Sequence, residues 1–234
     1  MLDRTKHQLI MGQILRDIYD TPTIAPILGF KGGTCAYFFY DLSRFSVDLD
    51  FDLFDTGKKE LVANEIKQIL EKYGKLTDFA IKEKTILFEL SYEADQRRLK
   101  IEIATNSPLL DPLEEWYEMK EYFGISMLVA SKEYMFSCKL VALTNRGKFT
   151  MRDVYDVWYF AKNGWPISNK IVQIYTGKDL AEYLADCKKW ISLLKKSQFL
   201  VGLGDLLDEK DKNWVKNSLI VETTSLLDIY SKNV

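Results

Sequence analysis

The stretch LGFKGGTCAYFFYDLSRFSVDLDFDL occupies residues 28–53. A glycine pair, Gly32 and Gly33, follows a short apolar segment and marks a turn. Further on, residues 45–54 alternate strictly between apolar and polar side chains, the pattern of a strand with one apolar face and one acidic face. The stretch therefore predicts a short strand, a glycine turn, a buried helix over 35–42 and a second strand that carries aspartates.

The spacing within this stretch suggests a single site. Thirteen residues separate Thr34 from Asp48, about one short helix and the turn into a strand, so the glycine turn and the aspartates can meet. Asp48 and Asp50 share a strand face with Cβ atoms roughly 6 to 7 Å apart, which lets them share divalent ions. Glu102 lies on another alternating strand and supplies a third carboxylate if the two strands pair. Oxygen ligands of this kind suit Mg²⁺ or Mn²⁺.

The glycines indicate what the site binds besides metal. A backbone that approaches phosphates closely needs residues without a Cβ, and amides at a helix start point toward an anion. The Thr34 hydroxyl can add one donor. Alone, Gly32–Gly33 is an ordinary turn and Asp48–Asp50 an ordinary solvated strand face, but together with Glu102 they favour a site for a nucleoside triphosphate (NTP) and metal ions.

Outward from this core, hydrophobic periodicity predicts the remaining elements. We expect helices over 3–19, 58–73, 131–146, 151–162, 178–198 and 212–230, and strands over 78–82, 85–92 and 98–105. The fold class is α+β, with a mixed sheet and flanking helices followed by a mainly helical C-terminal domain. The sequence changes character over 106–130, and we divide it into a catalytic domain, 1–115, and a helical domain, 116–234, with the NTP in the cleft between them.

Composition excludes several kinds of protein. The 234 residues are 47% apolar and 28% charged, which allows a sizeable core, and the net charge of −2 does not favour a polyanionic partner overall. The single histidine, His7, makes Ser-His-Asp or Cys-His catalysis implausible. Three distant cysteines predict neither a disulfide framework nor a zinc site. Without a membrane span or a signal segment, we expect a cytoplasmic protein.

Two further groups of charged residues fall on helices. Lys139 lies within the apolar arc of the helix over 131–146, where a cation needs an anionic partner, although lysines of this kind also extend to the rim of a helix. An ammonium facing the carboxylates would hold the triphosphate. Arg152 and Asp156 share a face of the next helix, so they form either an intrahelical pair or part of a nucleotide cleft.

The glycine turn, Asp-x-Asp and a later carboxylate resemble the polymerase-β-like nucleotidyltransferase superfamily. The resemblance is closer to the AbiEii/AbiGii toxin family of abortive-infection and toxin–antitoxin systems, and it covers about residues 25–162. The motifs that carry it are Phe30-Lys31-Gly32-Gly33-Thr34, Ser43-Arg44-Phe45-Ser46, Asp48-Leu49-Asp50-Phe51, Lys139 and Arg152-Asp153-x-x-Asp156. Glu102 departs from the family, since many relatives have aspartate there.

The resemblance implies a metal-dependent nucleotidyltransferase that a separately encoded antitoxin holds in check. Some members of the family add nucleotides to the acceptor end of tRNA. It implies catalytic or metal-binding roles for Asp48, Asp50, Glu102 and Lys139, and nucleotide contacts from Lys31, Gly32, Gly33, Thr34, Arg44, Ser46, Lys139, Arg152, Asp153 and Asp156.

Two other functions remain open at this point. The chain could transfer a nucleotide to a protein, as in AMPylation, or bind NTP without catalysis. The sequence does not identify the nucleotide, the acceptor, the antitoxin, the oligomeric state or the role of residues 178–234.

Overall fold

A computed structural model describes residues 3–94, 97–106, 110, 112–145 and 149–232. It divides into two compact units, Met1–Ala130 and Ser131–Val234. The boundary between the units follows Ala130, which is the end of the interval 106–130 in which the sequence changes character. The boundary lies there and not after residue 115 because residues 117–130 form two strands of the first unit's sheet. Within the described ranges, no helix has the length and hydropathy that a membrane span requires.

Within the residues that are described, the first unit contains three α-helices and seven strands, besides short 3-10 turns. In chain order they are α1 (Arg4–Tyr19), β1 (Leu28–Lys31), α2 (Gly32–Phe39), β2 (Asp48–Leu53), α3 (Lys59–Glu71), β3 (Lys75–Ile81), β4 (Thr85–Ser91), β5 (Leu99–Ala104), β6 (Tyr117–Tyr122) and β7 (Ile125–Ala130). The strands form one mixed sheet in the order β3-β4-β5-β2-β1-β7-β6. The predicted α+β class with a mixed sheet is confirmed.

Strand β2 lies at the centre of the sheet. It pairs antiparallel with β1 and parallel with β5, so its side chains have neighbours on both sides. On one face, Leu49 and Phe51 of β2 and Ile101 of β5 are fully buried, as the alternation predicts. The other face carries the acidic residues. The sheet therefore separates an apolar core from a polar surface along the central strand.

His7 supports the beginning of β2 from α1. Its ring is fully buried, Nε2 lies 2.9 Å from the Val47 carbonyl oxygen and Nδ1 lies 2.6 Å from the Tyr92 hydroxyl. The neutral tautomer with hydrogen on Nε2 satisfies both contacts, because it donates to Val47 and accepts from Tyr92. Burial lowers the pKa of His7 below its usual value of 6.5. The only histidine in the sequence thus holds the residue that precedes Asp48.

We expect this histidine to make stability depend on pH. Because its pKa is lower in the folded protein than in the unfolded chain, the unfolded chain binds the extra proton first as pH falls. The contribution of His7 is therefore complete above about pH 6.5, the unfolded value, and is lost progressively below it. Urea unfolding at several pH values should show that the free energy of unfolding falls more steeply below pH 6.5 in the wild type than in His7→Gln. The variant retains the carboxylates and so serves as the control for their titration. Parallel curves would contradict the prediction.

The second unit is helical in all its described regular structure, apart from short 3-10 turns. Its helices are α4 (Lys132–Asn145), α5 (Met151–Lys162), α6 (Asn169–Thr176), α7 (Leu180–Ser192), α8 (Glu209–Asn217) and α9 (Leu219–Ser231). Glu222 of α9 accepts hydrogen bonds from the indole nitrogens of Trp158 and Trp214, each at 3.0 Å. One carboxylate thereby links α5, α8 and α9.

Several predicted elements differ from the structure. Strands β6 and β7 and helix α6 were not predicted, and the expected helix over 178–198 ends at Ser192. The expected helix over 212–230 is two helices that meet at Ser218. The predicted end of the helix at residue 146 lies outside the described residues.

Candidate active site

The carboxylates predicted for the site lie on one face of two adjacent strands. In the register of β2 and β5, Asp50 is opposite Glu102 and Asp48 is opposite Lys100. On the other side of β2, Asp50 is opposite Lys31 of β1. Because side chains at paired positions point to the same face of a sheet, these three carboxylates and two lysines share one surface, which continues along β2 to Asp52. We call the face formed by Lys31, Asp48, Asp50, Lys100 and Glu102 the carboxylate face.

The glycine turn packs directly against this face. Gly32 has φ +81°, and a Cβ at this residue would lie 2.4 Å from Asp50 Oδ2. A Cβ at Gly33 would lie 2.6 Å from Arg44 Nη2 and 2.9 Å from Ser46 Oγ. Gly32 is therefore required by its backbone conformation and by its close approach to Asp50, and Gly33 lies close to two further candidate site residues.

Thr34 and Ser46 are buried next to the beginning of β2. The Thr34 side chain is fully buried, its hydroxyl donates to the Asp48 carbonyl oxygen, and the two hydroxyl oxygens of Thr34 and Ser46 are 2.9 Å apart. The buried Arg44 donates to the Phe45 carbonyl at 3.0 Å. In the structure, the Thr34 hydroxyl thus connects α2 to the backbone of β2, while its predicted contact with phosphate stays a prediction.

A substitution at Gly32 tests the close approach to Asp50. We expect Gly32→Ala to lose at least about tenfold in nucleotidyl transfer, because the added methyl group displaces the Asp50 carboxylate by more than a small shift. Gly124→Ala is the matched control: Gly124 has φ +79° and no atom within 4 Å of an added Cβ. Both variants should lose about 1 to 2 kcal/mol of stability from the left-handed backbone. Equal transfer by the two variants would refute the argument.

Asp52 is a residue of this strand that sequence reasoning did not assign. It is fully buried, with Oδ1 at 2.6 Å from Lys31 Nζ and Oδ2 at 2.6 Å from the Tyr117 hydroxyl, which donates to it. The Tyr117 ring packs over Gly29, where a Cβ would lie 2.2 Å from it. Asp52 was visible in the alternation, but its partner Tyr117 is on the unpredicted strand β6. Lys31 therefore has a carboxylate partner within the protein, and its predicted nucleotide contact remains untested.

The donor set of the carboxylate face suits a hard divalent cation. The Glu102 carboxylate is in direct contact with Lys100 Nζ. In the part of the chain that is described, no three His, Cys, Asp or Glu side chains are clustered closely enough to ligate one ion. Asp48, Asp50 and Glu102 fit a metal by the chemistry of their oxygen donors and by their common face.

Lys100 responds to the charges around it. Burial acts to lower the pKa of Lys100, but the hydrogen bond and charge of Glu102, followed by the charges of Asp50 and Asp48, raise it above 10.5. All three carboxylates thus act on one ammonium group, which stays protonated at neutral pH.

The second unit contains the other predicted cluster. Lys139 Nζ of α4 lies 3.1 Å from Asp153 Oδ1 and 3.1 Å from Asp156 Oδ2 of α5. The Asp156 side chain is fully buried, and 18% of the Lys139 side chain is exposed. Arg152 is half-buried on the same helix. The lysine in the apolar arc of α4 therefore has anionic partners, as its position required.

Solved structures of other proteins share this fold. A protein from H. pylori, provisionally described as a nucleotidyltransferase, is 23% identical, with a TM-score of 0.66 over 98% of this chain and 95% of that one. JHP933 from Helicobacter pylori is also 23% identical, with a TM-score of 0.60 over 100% and 97% of the two chains. The nucleotidyltransferase toxin MenT4 from Mycobacterium tuberculosis is 16% identical, with a TM-score of 0.64 over 97% and 84%.

Sequence comparison gives the family. The comparison with curated proteins finds no match. A model of one family, described as the nucleotidyl transferase AbiEii toxin of a type IV toxin–antitoxin system, matches residues 13–218 and so includes the glycine turn, the carboxylate face and the Lys139 cluster. The chain belongs to the AbiEii nucleotidyltransferase toxin family.

Proposed function

We propose that this protein transfers a nucleotide from an NTP to the end of an RNA, with a tRNA acceptor end as the foremost candidate, and that it requires Mg²⁺ or Mn²⁺. Membership of the family makes it a nucleotidyltransferase toxin with an antitoxin partner. The observation that carries the proposal is the packing of Gly32 against Asp50 Oδ2, which places a turn suited to phosphates beside the aspartate pair. Because NTP and RNA are cytoplasmic substrates, we assign the activity to the cytoplasm.

Each group on the carboxylate face has a defined task in this proposal. Asp48 and Asp50 would hold the divalent ions, which neutralise charge on the triphosphate when they are bound. The backbone of Gly33 and Thr34 would contact phosphate oxygens, since glycine lets the chain approach closely. Glu102 would bind the ion that activates the attacking hydroxyl and would accept the proton of that hydroxyl.

Lys139 is the cation that we assign to the leaving group. Its ammonium is fixed by two aspartates at 3.1 Å, so its position is set before substrate binds. A fixed cation offsets the negative charge that develops as pyrophosphate leaves. Arg152, Asp153 and Asp156 would complete the nucleotide contacts, either directly or by holding this lysine.

The proposal is tested by incubating the protein with Mg²⁺, each α-labelled NTP separately and total cellular RNA, and by resolving RNA and polypeptide on denaturing gels. We expect label in a tRNA-sized band with one NTP, and no label in a parallel reaction with Asp48→Ala. Treatment of the labelled band with nuclease or protease then identifies the acceptor.

Other patterns of label would select a different function. Label that is confined to polypeptide and depends on Asp48 would indicate protein nucleotidylation and overturn the RNA assignment. Tight NTP binding, with no pyrophosphate released from the NTP in the presence of any acceptor, would indicate a binding module without catalysis.

A further inference from the structure

We propose that Lys100 is an internal counter-cation of the carboxylate face, which holds Glu102 while no metal is bound and is displaced from Glu102 when a divalent ion binds. The inference rests on the proposed metal-dependent function. It assigns a role to a residue that belongs to none of the motifs identified in the sequence.

The position of Lys100 is fixed by the sheet. It is two residues before Glu102 on β5 and opposite Asp48 on β2, so its side chain rises from the same face as all three carboxylates. Its ammonium is in contact with the Glu102 carboxylate. The Lys100 side chain is 39% exposed, so it can turn toward solvent without unpacking the core.

Electrostatics gives the reason for such a residue. Three carboxylates on neighbouring positions of one sheet face repel each other, and like charges directly opposite one another destabilise a sheet. A lysine among them offsets part of that repulsion in the metal-free protein. A divalent ion carries twice the charge and is the stronger partner for two or three carboxylates, so the lysine and the metal compete for Glu102.

The competition has a measurable consequence for metal affinity. Lys100→Met keeps an unbranched side chain of similar length and removes the charge. We expect it to lower the dissociation constant for Mn²⁺ at least about tenfold, measured by electron paramagnetic resonance of free Mn²⁺ without NTP, because the ion no longer competes with an ammonium. Lys67→Met, on the exposed side of α3, removes the same charge elsewhere and should leave Mn²⁺ affinity within about twofold.

A double-mutant cycle separates a contact with Glu102 from a general charge effect. In a Glu102→Gln background, Lys100→Met should change Mn²⁺ affinity by less than about threefold, because the group for which lysine and metal compete is gone. An equal gain in both backgrounds would overturn the displacement of Lys100 from Glu102, and no gain in the wild-type background would overturn the role of Lys100 altogether.

Failure of the counter-cation role and failure of the proposed metal-dependent function give different results in these measurements. If the wild type neither binds Mn²⁺ at millimolar concentration nor transfers a nucleotide, the metal-dependent function itself fails. If it binds Mn²⁺ and transfers a nucleotide while Lys100→Met leaves the affinity unchanged, only the counter-cation role fails.

Discussion

Asp50→Asn is expected to reduce nucleotidyl transfer by about a thousandfold or more while leaving the fold intact. Asparagine preserves the size of the side chain but removes the charge that a divalent ion needs, a loss worth several kcal/mol in the transition state. The side chain is half-buried on the face of β2 that carries no apolar core, so its replacement does not disturb the buried residues. Single-turnover transfer to RNA at saturating NTP measures the effect.

A matched control distinguishes loss of metal binding from distortion of β2. Asp55 lies just beyond the strand in an exposed turn. The variant Asp55→Asn should therefore transfer nucleotides at the wild-type rate. Circular dichroism and the midpoint of urea unfolding should be nearly the same for both variants and the wild type. Transfer by Asp50→Asn within tenfold of the wild type would rule out Asp50 as a required metal ligand.

Lys139→Met is expected to cost about 3 to 5 kcal/mol of stability as well as the transfer activity. The substitution removes the ammonium that lies 3.1 Å from both Asp153 and Asp156, whose side chains are 5% and 0% exposed. Removing one partner of a buried ion pair leaves charge in a poorly solvated place, and that is the main cost. Urea unfolding of the full chain, followed by intrinsic tryptophan fluorescence, measures the change.

A triple variant separates the structural role of Lys139 from the catalytic one. Lys139→Met combined with Asp153→Asn and Asp156→Asn removes all three charges together. We expect it to be more stable than Lys139→Met, since no carboxylate charge then remains beside the lost ammonium, but not to recover the transfer activity. Wild-type stability in Lys139→Met alone would contradict the structural role, and recovered transfer in the triple variant would contradict the catalytic role.

The sequence predicts most of the first unit because its signals are local. The alternation in residues 45–54 and the apolar periodicity of 58–73 each depend on neighbours within one element. The hairpin of β6 and β7 was missed because its turn has positive φ at Phe123 and Gly124, +49° and +79°. Phenylalanine seldom adopts this conformation, so Gly124 gives only one half of the usual two-residue turn signal.

In the candidate site, too, local sequence patterns could be predicted and contacts between distant segments could not. Sequence spacing was enough to group Asp48, Asp50 and Glu102, since strands that alternate can be aligned by their polar faces. The contacts that hold these residues could not be predicted from the sequence pattern. His7 contacts Val47, Tyr117 contacts Asp52, and Lys100 contacts Glu102, which the sequence pattern assigns to metal binding. Pairwise partners across a fold are not encoded in the periodicity of either segment.

The two parallel pairings of the sheet also set an order of events during synthesis. The strand with Asp48 and Asp50 cannot complete its pairing with β5 until Ala104 has left the ribosome, and β1 cannot pair with β7 until Ala130 has done so. Closing such long loops is slow compared with forming local helices. A nascent chain therefore carries its glycine turn and aspartates early but lacks the strands that hold them. We expect the carboxylate face to be assembled only after Ala104 has been released, and the sheet to be completed only after Ala130.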